Sequence, residues 1–182
     1  MEDETNLAQA SFSSWDEYFM SLAFFVAMKS KDRSTKVGAI IVNGLNGIVS
    51  TGYNGFPRKV DDDVPERHER PLKYLYMEHA ERNALDNAAL SGARMQGGTL
   101  YTQWVPCADC ARGIIQNGMA EVVHFYPLES EMMRFIILRN DWKASAEESM
   151  KMLSEAGVKV RHYGGSLKTS IYQVCGERVS IP

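Results

Sequence analysis

Hydrophobic residues recur along the chain in two rhythms, and each change of rhythm marks an element. From Trp15 to Lys29 the apolar positions fall at helical spacing: Trp15, Tyr18, Phe19, Leu22, Phe25, Val26 and the stem of Lys29. Ser13 or Ser14 stands where an N-cap belongs, and "KDRST" ends the pattern. "KVGAIIV" is rich in β-branched residues and reads as a strand, "NGLNG" as a turn, and "IVSTGYN" as a second strand. The pair predicts an antiparallel hairpin. After a long charged stretch, helical spacing returns over residues 79–91, stopped by Gly92. "GTLYTQW" is a strand, residues 107–118 a helix ending at Gly118, and "EVVHFY" a strand. "EESMKMLSEAG" is an amphipathic helix, and "VKVRHY" the last strand. From Met95 onward strands alternate with helices, the pattern of parallel strands joined by crossovers.

Residues 55–76 interrupt these rhythms. "GFPRKVDDDVPERHERPLKYLY" is charged and broken by prolines, and neither flank is large enough to be a domain. It reads as a functional loop rather than a linker. Residues 1–12 read as a mobile arm, 13–165 as a single domain, and 166–182 as a tail of uncertain structure.

Composition narrows the class without deciding it. The chain has 182 residues, 45% hydrophobic and 24% charged, which is enough for one sizeable core. Its formal net charge of −3 argues against a protein built to coat nucleic acid. "SLAFFVAM", the most apolar segment, falls well short of the roughly 18 residues a membrane helix needs. The polar, acidic start lacks the pattern of a secretory signal. Three cysteines, an odd number, do not suggest a disulfide framework, so a reducing cytoplasm is expected.

The chemistry lies in two short motifs. "HAE", His79 to Glu81, opens one predicted helix; "PCADC", Pro106 to Cys110, opens another. Either one alone is a weak signal. Cys-x-x-Cys serves redox and structural roles, and His-Ala-Glu is often a solvated helix face. Together, one imidazole (His79) and two thiolates (Cys107, Cys110) suit tetrahedral zinc with an open fourth position. Glu81, two residues past the histidine, is placed to move protons without ligating the metal.

The paired motifs resemble the H-x-E…P-C-x-x-C signature of the zinc-dependent nucleobase deaminases. "SKDRSTKVGAIIVN", "STGYNGFPR", "EHAERNAL" and "PCADCARGIIQNGMAEVV" narrow the resemblance to deoxycytidylate deaminases, over about residues 15–163. The resemblance implies a cytidine-deaminase-like α/β fold, a three-layer α/β/α sandwich around a five-stranded mixed sheet. It implies hydrolysis of dCMP to dUMP and ammonia, feeding thymidylate synthesis. It implies one catalytic Zn2+, held by His79, Cys107 and Cys110, with Glu81 as proton shuttle. Asn54 would meet the sugar hydroxyl and the Ala80 backbone the base. Asn54 is also a turn residue before Gly55, and that alternative stays open.

Lys31, Ser34 and Thr35, with Arg58, are the expected phosphate contacts; Lys36 and Arg112 are candidates for an allosteric or intersubunit role. Hexamers are the expected assembly, with dCTP as activator and dTTP with Mg2+ as inhibitor. "DDD" is either a solvated run or part of an effector site. Some relatives carry a second zinc held by a histidine two residues before the catalytic one; Met77 stands there, so one zinc is expected. The loop 59–76 resembles bacterial and phage forms. Other ring substrates, a non-catalytic nucleotide binder and a structural zinc module remain as rivals. No membrane or nucleic-acid partner is expected.

Overall fold

A computed structural model describes residues 11–127 and 142–168 in full, and the backbone of 171–174 and 177–180. The first ten residues of the expected arm, and Cys175, lie outside the described residues. Helix α1 (Trp15–Ala27) precedes strands β1 (Gly38–Val42) and β2 (Ile48–Tyr53). A 3-10 turn (Pro65–His68) and a one-turn helix α2 (Lys73–Tyr76) follow. Then come α3 (Ala80–Ser91), β3 (Thr99–Thr102), α4 (Ala108–Gln116), β4 (Glu121–His124), α5 (Trp142–Glu155) and β5 (Lys159–His162).

Five strands form one mixed sheet in the order β2-β1-β3-β4-β5. β1 pairs antiparallel with both β2 and β3, while β3, β4 and β5 run parallel. The parallel half follows from the crossover helices, since parallel strands need long connections. In β1 every residue is buried, with alternate side chains serving two cores. Ile40 and Val42 join α1 residues on one face; Ala39 and Ile41 join α3 and α4 residues on the other. Helices thus cover both faces, giving the expected three layers.

The α1 stripe is shifted from its expected phase. Phe19, Met20, Ala23, Phe24 and Ala27 are buried, whereas Trp15 and Phe25 are 57% and 66% exposed. The helix is apolar on nearly every side, so spacing alone does not fix which face turns inward. Small residues decide it. A Cβ on Gly38 would overlap the Ala23 carbonyl and stand 2.7 Å from the Ala27 nitrogen. Only the Ala23–Ala27 face lets β1 come that close.

Helix ends match their signals. Ser14 caps α1, its Oγ accepting from the Glu17 N–H at 3.1 Å. Gly92 closes α3 in the left-handed conformation, φ 68°. Helix α5 begins at Trp142, five residues before the amphipathic pattern shows it. The C-terminal tail holds a two-stranded antiparallel sheet, β6 (Ile171–Val174) with β7 (Glu177–Ser180).

Candidate active site

The two motifs come together at two helix starts. His79 is the N-cap of α3 and Cys107 the N-cap of α4, both with extended backbone. β3 carries the chain from the first to the second, and α3 and α4 pack on the same face of the sheet. Nδ1 of His79 lies 3.4 Å from Sγ of Cys107 and 3.4 Å from Sγ of Cys110. The two sulfurs are 3.6 Å apart. Tetrahedral zinc, with bonds of ~2.3 Å to sulfur and ~2.0 Å to nitrogen, needs ligand separations of about 3.5–3.8 Å. The triangle therefore fits the ion in both size and donor chemistry. Among the described residues it is the one cluster with this geometry.

The protonation pattern follows from the contacts. The Cys110 hydrogen bond lowers the Cys107 thiol against the opposing effect of burial; with the His79 contact, it falls to about 4. Burial pushes His79 down, but the Cys107 hydrogen bond and the charge of Glu81 outweigh it, raising the ring to about 9. Cys110, hydrogen-bonded to Cys107 and fully buried, is pushed well up. Glu81 is also buried and outside the ligand triangle; burial, against the pull of His79, raises its carboxyl. A carboxyl raised in this way accepts and returns a proton more readily than an exposed one.

Ion pairs brace the helix starts. Arg82 of α3 bonds Glu78, whose carboxylate also accepts from the His79 N–H at 3.0 Å. The same arginine reaches Asp109 of α4 at 3.5 Å, and Asp109 is paired in turn with Arg112. Helix α5 contributes Ser145, whose Oγ accepts from the Ala108 N–H at 3.0 Å. Arg112 is exposed and joins this brace through Asp109.

A cleft opens beside the triangle. His79, Ala80 and Glu81 line it, with apolar Val37, Met77, Trp104 and Trp142. The rest of the lining is polar: Asp32 joins Lys73 and Asn54, Asn54 joins the Thr35 carbonyl, and Arg70 joins Tyr74. Of the residues expected at the sugar and phosphate, Asn54 and Thr35 reach the cleft. Asn54 is buried and its amide is heavily engaged. Nδ2 donates to Asp32 at 2.9 Å and to the Thr35 carbonyl at 2.8 Å, while Oδ1 accepts from the Val37 N–H at 2.7 Å. One Oδ1 lone pair remains for a ligand.

The other expected phosphate contacts are absent from the cleft lining. Lys31 forms an exposed ion pair with Asp62 at 2.8 Å. Ser34 turns its N–H to Asp32, Lys36 bonds the Ser30 carbonyl, and Arg58 bonds Asn87 of α3. The arginine that does line the cleft is Arg70, whose Nε donates to Tyr74 Oη at 2.7 Å. Arg70, Lys73 and Tyr74 sit in the proline-broken stretch, where no periodic pattern marks them out. Trp142 opens a helix whose first turn precedes the visible amphipathic pattern.

The family described as "Cytidine and deoxycytidylate deaminase zinc-binding region" matches residues 13–126. The chain belongs to that family. It is accordingly a zinc-dependent hydrolase, and its three metal donors are in place. A probable deoxycytidylate deaminase of Drosophila melanogaster is 36% identical over 165 residues, covering 85% of this chain and 75% of the relative. The deoxycytidylate deaminase of Mus musculus is 42% identical over 128 residues, covering 68% and 71%. The dCMP deaminase of cyanophage S-TIM5, solved in complex with dCMP and dUMP, is 25% identical with a TM-score of 0.56; the match covers 90% of this chain and 99% of that one. Likeness to animal relatives is therefore stronger in sequence than likeness to this phage enzyme. No helix among the described residues is long and apolar enough to cross a membrane.

Proposed function

We propose that the enzyme hydrolyses dCMP to dUMP and ammonia. The carrying observation is the His79–Cys107–Cys110 triangle, with Glu81 buried in the same cleft. The choice of substrate is supported by relatives named deoxycytidylate deaminase at 36–45% identity. His79, Cys107 and Cys110 would hold zinc, which when bound would lower the pKa of a water to ~7 and so supply the nucleophile. Glu81 is the proton carrier: it takes a proton from the attacking water and delivers it to N3 of the cytosine ring. Water oxygen bonds to C4; Glu81 then takes the remaining hydroxyl proton and gives it to the amine, the C4–N4 bond breaks, and C4=O is left. One water is consumed and one ammonia released. The Ala80 backbone faces the base, and the remaining Oδ1 lone pair of Asn54 accepts from the sugar hydroxyl.

Arg70 is the phosphate partner in this reading. It lines the cleft and forms no ion pair among the described residues, so its charge is available to an anion. Thr35 adds a hydroxyl to the same lining. Residues 13–165 act as the catalytic domain. Supply of dUMP to thymidylate synthesis, activation by dCTP, inhibition by dTTP with Mg2+, hexameric assembly and a cytoplasmic setting complete the proposal. Ammonia release from zinc-loaded protein on dCMP, CMP, deoxycytidine and dCTP, each with and without the effectors, tests it. Preference for dCMP supports the reading; preference for an unphosphorylated nucleoside overturns it. Ultracentrifugation of the same sample tests the hexamer.

A further inference from the structure

The segment between β2 and α3 is a strap, tied at its surface by Asp62 to Lys31 and by Arg58 to Asn87, and fastened more deeply at two places. At its ends Gly55 and Glu78 pair as an isolated bridge, with N–H···O distances of 3.0 and 2.8 Å. Within it, Lys73 is buried and its Nζ donates to Oδ1 of Asp32 at 2.7 Å. Asp32 is itself only 3% exposed. Its carboxylate accepts from the backbone N–H groups of Ser34 at 2.7 Å and Thr35 at 3.3 Å, and from Asn54 Nδ2 at 2.9 Å. Asp32 is thus fixed by its own loop and by the end of β2, with Lys73 as its tie to the strap.

A buried ion pair is a poor way to gain stability, because desolvation offsets most of the attraction. What such a pair does well is specify one arrangement, since each partner alone would be a buried, uncompensated charge. Here the arrangement it specifies is the position of the strap. Arg70 and Tyr74 flank Lys73 in sequence, and all three line the cleft.

We propose that Asp32 and Lys73 are positioning residues for substrate binding: their ion pair latches the strap so that Arg70 and Tyr74 stand in the wall of the cleft. The charges of the pair cancel, leaving Arg70 to meet the anion. Glu81 and the three metal donors lie at the starts of α3 and α4, off the latched turn, so breaking the latch weakens binding more than it slows chemistry. This rests on reading the cleft as a nucleotide site.

The test compares wild type with Lys73→Met, Lys73→Arg and Asp32→Asn. It reads kcat and KM on dCMP, zinc content, Tm, and the rate of tryptic cleavage after Lys59 and Arg67 in the strap. Lys73→Met is expected to raise KM about tenfold or more with kcat within about threefold. Strap cleavage should quicken while zinc stays bound, and Lys73→Arg should return both readouts toward wild type. Unchanged KM and cleavage in Lys73→Met, or a fall in kcat at constant KM, overturns the proposal. If Lys73→Met does not fold, Asp32→Asn is judged by the same outcomes; if neither folds, the pair is a stability element and the proposal fails. Absence of dCMP turnover in wild type would overturn the functional reading, while strap cleavage would still judge the latch.

Discussion

Gly52 of β2 and Ala84 of α3 meet backbone to backbone. A Cβ on Gly52 would overlap the Ala80 carbonyl and the Ala84 nitrogen, and would stand 2.9 Å from the Ala84 Cα. The contact sets the height of α3 above the sheet, and the start of α3 carries His79 and Glu81. Gly52→Ala is expected to destabilise the fold by about 1–3 kcal/mol, as overpacking does. It should also weaken zinc retention, because His79 is pushed away from the two cysteines. Urea unfolding and metal content of the purified variant check both effects.

Glu81→Gln keeps the size of the side chain and removes its proton chemistry. The variant should fold, hold zinc, and lose about 10²–10⁴-fold in kcat. Ammonia release beside metal analysis measures this. A zinc-replete variant turning over at the wild-type rate would remove Glu81 from the mechanism.

Zinc uptake should release protons in a defined number. With Cys107 at about 4 and His79 at about 9, the metal-free site at neutral pH holds one thiolate, one imidazolium and the Cys110 thiol, which is pushed up further. Binding requires two thiolates and a neutral ring, so about two protons leave, and affinity should climb roughly a hundredfold per pH unit between about pH 5 and 8. Calorimetry in buffers of different ionisation enthalpy counts the protons. At pH 6, below the ~7 at which a zinc-bound water gives up a proton of its own, three would mean that Cys107 carries a proton before binding.

Arg161 ties β5 to α1 and β4, donating to both Asp16 oxygens at 2.6 and 2.7 Å and to Glu121 at 2.8 Å. Its hydrogen bond lowers Asp16; for Glu121, burial pushes up, but Arg161 and Lys159 outweigh it. Both carboxyls therefore titrate lower folded than unfolded. Their contribution is complete above the unfolded values of ~4 and disappears as pH falls through the folded ones. Arg161→Gln should lower Tm at pH 7 by about 2–4 °C, the equivalent of ~1 kcal/mol for partly exposed pairs. The gap from wild type should close as pH falls from about 5 toward 2. Thermal scans across that range decide it.

Legibility in the sequence depended on whether a signal was local. The metal donors and Glu81 sit within short motifs at helix starts, and their identity alone suggests the chemistry. The β1–β2 hairpin was equally plain, because β-branched runs flank a glycine turn. The charged part of the cleft was not. Lys31 and Arg58 stood close in sequence to the right motifs, yet Lys31 finds Asp62 and Arg58 finds Asn87. Charge type does not say which partner a long side chain will take. Asp32 and Lys73 are 41 residues apart and meet only through the fold. Lys73 lies in a single helical turn, too short to leave a periodic trace.

The donor triangle is divided between chain segments on either side of β3. His79 and Cys107 are 28 residues apart, and they are neighbours only in a fold where β3 pairs beside β1. Metal capture then requires an assembled sheet. A chain with its sheet misassembled has the ligands but not the site, so zinc occupancy doubles as an inspection mark for correct folding.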